Sequence, residues 1–423
     1  MYLTIGILIC FLWQVFNSIY PHFEFVVIAA TFIVYGCRHR IVIPNIILMG
    51  SIFAIHTLLC LMNNTLNITD FIIQFFSVAL SYLFYYNLVK RYRPEDIIKR
   101  YCKVAFGFAV FGLFQELFAL FGNYTLMQLF FLVKGMKLVF IFGSLVRIEG
   151  LCTEPFNFAL LLIPAVYCAM RRFLFKDGRI YNQVEAAVVL LAFMLTFSGA
   201  GMVGLVIAVI LLLLDKGQKK TKNPLKTNQL FKGFILVASF TVVFIWAYLN
   251  IPMITWRVDD TIAVLFKGVE LEKANMSTYA IASNLIVARN EIAATYGLGV
   301  GFGSYGANFN RYSTGLDTTF YAYGINQLDG SNLAIRFAAE MGLIGIAFII
   351  WCLVKYRRHV TGENLWMSNA VLVQLLLRII RFGNYTMFGL GLFVSLYVVI
   401  GTESKQKLSN QVITKAPMIE EKE

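Results

Sequence analysis

Apolar runs about as long as a bilayer is thick recur along almost the whole chain, and they leave little room for a soluble fold. A helix needs roughly 20 apolar residues to cross the hydrocarbon core, with a range near 17–25. Such runs occupy residues 2–19, 22–36, 41–61, 70–89, 103–121, 155–170, 182–198, 200–214 and 234–250. After a long polar stretch, three more lie at 331–353, 364–378 and 385–401. The pattern predicts an all-α polytopic membrane protein of about 12 transmembrane helices, forming a single integral membrane domain over 1–423. Only 14% of the residues are charged, against about 25% in soluble domains, too few to cover a soluble surface. The net charge of +13 is therefore read as topology, and a nucleic-acid partner is excluded. The first run lacks a basic leader and a small-residue cleavage site, so it is expected to stay as a helix.

Most Lys and Arg fall in one alternating set of connections: Arg38 and Arg40, clusters at 90–103, 171–179, 216–232 and 355–358, and the tail 402–423. By the positive-inside rule these segments, both termini included, are cytoplasmic. The opposite face then carries two long segments, 122–154 and 251–330. The second holds Trp256, Tyr279, Tyr296, Tyr305, Tyr312, Phe320, Tyr321 and Tyr323. A helical pattern runs through it near 270–293, with Leu271, Ala274, Ile281, Leu285, Ala288 and Ile292 at three- and four-residue steps. An ordered lid of short helices over the outer face is expected. The seven cysteines and four histidines are scattered without ligand spacing, so neither a metal nor another cofactor is expected.

Arginines dominate the outward cations: Arg147, Arg257, Arg289, Arg311, Arg336, Arg378 and Arg381. Guanidinium favours bidentate contacts to phosphate oxygens, so an arginine cluster at the outer leaflet suggests a lipid-linked phosphate. Arg336 lies about five residues inside an apolar run, where an ionisable group marks a functional cavity by default; the alternative is a pair with Glu340, one turn on. Glu154 precedes Pro155 at a helix start. It is either an anionic cap or, with Arg147, a phosphate contact and base at the water interface. The run Gly297-Leu-Gly299-Val-Gly301-Phe-Gly303-Ser-Tyr305 either offers backbone N–H groups to an anion or is only a flexible loop. Asp329 and Asn332 are good N-caps, and Gly342 and Gly345 allow close helix packing.

Taken together, these residues resemble the O-antigen polymerase and O-antigen ligase superfamily of membrane glycosyltransferases. The resemblance rests on Arg147-x-x-Gly150 with Glu154-Pro155 before a span, on Arg289 followed by the glycine run, and on Asn332 ahead of Gly342-x-x-Gly345. It implies a GT-C-like helical fold in the bacterial inner membrane with a periplasmic active face. The implied substrate is an undecaprenyl-pyrophosphate-linked oligosaccharide, with membrane lipid and a chain-length regulator protein as further partners. Ligases of this superfamily carry a His where Gly330 stands here, and a Ser-Arg turn where this chain has Ser198-Gly199, so the resemblance points to a polymerase. It implies leaving-group contacts from Arg289, Arg147 and Arg336, a base in Glu154 or Asp329, and substrate contacts from Asn332, Gly299, Gly301 and Tyr305. The alternatives are a ligase on the same fold and a lipid-linked oligosaccharide flippase, although no half-to-half repeat of the transporter kind is evident.

Overall fold

A computed structural model describes the chain apart from residues 45–46, 123–139, 143–144, most of 218–247, 251, 267–269, 363 and 416–423. The described residues are predominantly helical, with one two-stranded antiparallel ribbon, β1 (Phe140–Phe142) and β2 (Leu145–Val146). The first helices are α1 (Tyr2–Ile19), α2 (Phe23–Arg38), α3 (Ile47–Met62), α4 (Ile68–Arg91) and α5 (Pro94–Leu120). After the ribbon come α6 (Pro155–Phe175), α7 (Gln183–Leu195) and α8 (Gly199–Gly217). The outer segment forms α9 (Pro252–Phe266), α10 (Met276–Ala294) and α11 (Tyr305–Tyr312), and the chain ends with α12 (Leu333–Arg357), α13 (Asn364–Arg381) and α14 (Leu390–Lys415).

Six of the described helices are long and apolar enough to cross a membrane: α1, α4, α5, α6, α12 and the helical stretch Met387–Lys407. This is a helical membrane protein. Three expected spans, in α3, α7 and α8, form shorter apolar helices, and the expected ninth span falls largely outside the described residues. The run expected at 41–61 enters its helix later, because residues 41–44 are not helical. Exposed apolar side chains such as Leu48, Ile55, Leu58, Leu343, Ile350 and Val354 fit a lipid-facing exterior.

Local chemistry sets the boundaries. Pro94 and Pro155 stand in the first turns of α5 and α6, where proline removes no helical hydrogen bond. Asn67, Asn182, Asn275 and Asn332 each accept an N–H of the helix they precede, and Asn182 closes a capping box with Glu185. The central helix is α6, buried throughout from Pro155 to Arg171 and packed on α5, α7, α8 and α13. At one end, Arg171 pairs with Asp177 and Asp215, joining α6 to α8. The other end opens onto the outer segments.

The helices between α8 and α12 include α10, which lies on α12 in a packed unit, the lid. Val287, Ala288, Tyr305, Phe309, Leu316, Ile335 and Ala339 make its own apolar core. The buried stripe of α10 is rotated from the expected one: Tyr279, Ala280, Ser283, Asn284, Val287, Ala288 and Glu291 face inward, while Leu285 is exposed. Asn284 explains the rotation. Its Nδ2 donates to the carbonyls of Ala280 and Ile325 and to Ser331 Oγ, and its Oδ1 accepts from Tyr305 Oη at 2.6 Å. One fully bonded amide outweighs an aliphatic contact here, since a buried polar group left unbonded costs about 1–3 kcal/mol.

Candidate functional site

The predicted residues gather in two clusters, and these are built in opposite ways. The first surrounds a break in α12. Gly342 sits at φ 59°, ψ −150° within that helix, a backbone region essentially closed to other residues. The glycine run fills the break. Val300 N–H donates to Ala339 O, Gly301 N–H to Glu340 O, and Leu343 N–H to Gly297 O; Gly299 N–H goes to Thr295 Oγ1. A Cβ on Gly299 would lie 2.6–2.7 Å from Ala339 O, Gly342 N and Glu340 O. The N–H groups of Gly299 and Gly301 are thus taken up within the protein, which corrects the anion-cradle reading: these glycines let two backbones touch.

Arg336 belongs to the same cluster and forms the one-turn pair. Its Nε donates to Glu340 Oε1 at 2.9 Å, Nη1 to Gly383 O at 3.3 Å and Nη2 to Gln74 Oε1 at 3.0 Å. The guanidinium lies over the Tyr385 ring, and Tyr385 Oη donates to Glu340 Oε2 at 2.8 Å. Asn332 is the N-cap of α12, its Oδ1 accepting from Ile335 N–H at 2.7 Å. Tyr305 is fully buried against Asn284 and Phe309, so in this conformation it offers no face to a sugar. Glu291, which the sequence reading passed over, is fully enclosed with neither carboxyl oxygen bonded. Burial, then the nearby Glu340, pushes its pKa up to about 9.

The second cluster is the segment 145–154 with the chain ends that meet it. Here neutral side chains hold the backbone. Gln115 of α5 accepts from the N–H groups of Glu149 and Gly150 and donates to Gly150 O. Gln14 of α1 accepts from Thr153 N–H and donates to Thr153 Oγ1, both at 2.7 Å. Glu116 accepts from Val146 N–H, and Ile148 N–H donates to Leu195 O at the end of α7. Gly150 takes φ +62° and leaves no room for a Cβ, which would lie 2.8 Å from the Phe158 ring. Arg147 is buried with Nε donating to Thr196 O.

The ionisable groups of this second cluster are left largely open. Glu154 caps α6 from an exposed position without a side-chain capping bond. Glu149 is 4% exposed, with Oε2 enclosed and unbonded. Burial lifts its pKa to about 8, the Arg147 charge pulling it down and the Glu154 charge pushing it up. Arg381, at the end of α13, lies over the Phe156 ring and within electrostatic reach of both Glu154 and Asp329, yet forms no hydrogen bond or ion pair among the described residues. The carbonyl of Asp329 packs directly on Gly383, and burial raises the pKa of its carboxyl. The start of α6, the approach to α12 and the end of α13 therefore lie within electrostatic reach of one another.

The remaining arginines take other places. Arg289 is exposed on α10 and unpaired among the described residues. Arg311 reaches back to Asn64 O, and Arg378 is buried with Nη2 donating to Phe388 O. The side chain of Arg257 lies outside the described residues. Compared with known proteins, the chain matches no family model and no curated protein sequence.

Proposed function

We propose that this chain is a metal-independent membrane glycosyltransferase that polymerises repeat units of O-antigen or a related surface polysaccharide. It transfers the growing glycan from undecaprenyl pyrophosphate to a lipid-linked repeat unit at the periplasmic face of the bacterial inner membrane, within a GT-C-like fold of about 12 spans whose termini are cytoplasmic. The observation that carries this reading is the cluster of charged groups at the start of α6 and the end of α13. Glu154 and Asp329 lie within electrostatic reach of Arg381, which forms no hydrogen bond or ion pair among the described residues; Glu149 lies within reach of Glu154, and α10 exposes Arg289. Departure of a pyrophosphate needs positive charge where negative charge develops, and attack by a sugar hydroxyl needs a proton acceptor. This cluster and α10 offer both kinds of group. Arg289 and Arg381 are the leaving-group contacts whose guanidinium groups are unbonded among the described residues, whereas Arg336 is engaged by Glu340, Gln74 and Gly383.

Gly330 favours polymerase over ligase. It sits at φ +65°, and a Cβ there would lie 3.0–3.2 Å from Arg336 atoms, so the ligase histidine would be strained at this position. The test is the lipopolysaccharide or capsule gel profile of the source bacterium with the gene deleted and then restored. Collapse of the ladder to a single repeat on the core supports polymerisation; complete loss of repeats from the core would shift the reading to ligase or flippase.

A further inference from the structure

We propose that Glu149, rather than Glu154 or Asp329, is the proton acceptor of this cluster of charged groups. The inference rests on the glycosyltransferase reading and names the base within it. Three observations carry it. The backbone on both sides of the Glu149 Cα is clamped by Gln115, through the N–H groups of Glu149 and Gly150 and the Gly150 carbonyl, so the carboxyl is held on rigid backbone as catalytic geometry requires. Its Oε2 is enclosed without a hydrogen-bond partner, and a buried acceptor left unbonded in a native fold calls for an explanation. The segment also places it within electrostatic reach of Arg147 and Glu154.

The charged and titratable groups around it are Arg147, Cys152 and Glu154 on its own segment, Glu116 on α5 beneath Val146, and Arg381 of α13 facing Glu154. Exposed Glu154 and enclosed Glu149 form a pair of carboxylates in unlike surroundings, the arrangement that separates the roles of two acids in one site. In the step we assign, a hydroxyl of the acceptor sugar attacks the anomeric carbon of the donor glycan. The new carbon–oxygen bond forms as the carbon–oxygen bond to pyrophosphate breaks. The pyrophosphate leaves with the electron pair, and the hydroxyl proton passes to the Glu149 carboxylate.

The test uses the purified full chain in proteoliposomes, supplied with lipid-pyrophosphate-linked oligosaccharide extracted from the source cells. Chain extension is read on a gel between pH 6 and pH 10. Wild type should extend faster as pH rises, with a midpoint near 8. Glu149→Gln should lose at least a hundredfold in rate while binding the lipid-linked substrate as wild type does, and Glu149→Asp should retain activity with a displaced midpoint. Should the glutamine variant fail to insert, the aspartate variant alone decides the matter, because a purely structural carboxylate would leave the midpoint in place. Extension by Glu149→Gln at the wild-type rate, or an unmoved midpoint in Glu149→Asp, would remove Glu149 and leave the glycosyltransferase reading intact. No extension by wild type at any pH would remove both.

Discussion

The break in α12 and the 145–154 segment each gather charged residues from distant parts of the chain. At the break, charges hold the structure together: Arg336, Glu340, Tyr385 and Gln74 satisfy one another, and the N–H groups of Val300 and Gly301 close on α12. In 145–154 the structure holds the charges. Two glutamines and neighbouring backbone fix the segment, and the Glu149 and Glu154 carboxyls are not used for the purpose. Buried charge is therefore a poor guide to function until its partners are known. Groups kept in place by others, with their own bonding capacity open, are the better candidates for chemistry.

The comparison is broken most forcefully at Arg336. Arg336→Met should destabilise the protein by about 3–5 kcal/mol, the cost of leaving Glu340 buried without its partner; thermal unfolding in detergent reads this, and an unchanged midpoint would mean that the pair does not hold α12. Next come the free arginines. Arg289→Ala and Arg381→Gln should each slow chain extension by at least a hundredfold, about 2.7 kcal/mol on the barrier, with insertion and unfolding midpoint unchanged. Loss of folding together with activity would place them with Arg336 instead. Replacing Gln115 with Leu removes three hydrogen bonds from the 145–154 backbone. It should cost about 2–3 kcal/mol and reduce extension without abolishing substrate binding, whereas normal extension would show that the clamp is dispensable.

The effect of Glu291 is spread over several pH units. Its folded-state pKa, up at about 9, lies above the ordinary 4.5, so the folded lid holds a proton that the unfolded lid gives up. Lid stability should be greatest below pH 4.5 and fall by about 1.4 kcal/mol per pH unit until pH passes about 9, where the slope ends. Glu291→Gln should flatten that dependence. Hydrogen exchange on α10 measured from pH 5 to pH 9 would reveal it, and an identical slope in the variant would place the titration elsewhere.

Periodicity made the membrane class and most helix positions legible, because apolar length at a 1.5 Å rise leaves few alternatives. The caps at Asn332 and the proline starts at Pro94 and Pro155 follow from local rules. The inward face of α10 does not: Asn284 points inward because of partners at 305, 325 and 331, and no window along the helix contains those residues. The glycine run misled for the same reason, since the N–H groups of Val300 and Gly301 are satisfied by a broken helix about 40 residues downstream. Arg147, Glu154 and Asp329 were visible as residue types. Their joining with Arg381 depends on the approach of Gly383 to Asp329, which only tertiary packing brings about.

One measurement reaches the central claim most directly. Cells lacking the gene are supplied with Arg381→Gln at wild-type protein level, and the length of their surface polysaccharide is read on a gel beside that of cells given the wild type. The account predicts a full ladder with wild type and nothing longer than one repeat with the variant; a full ladder with Arg381→Gln would contradict it.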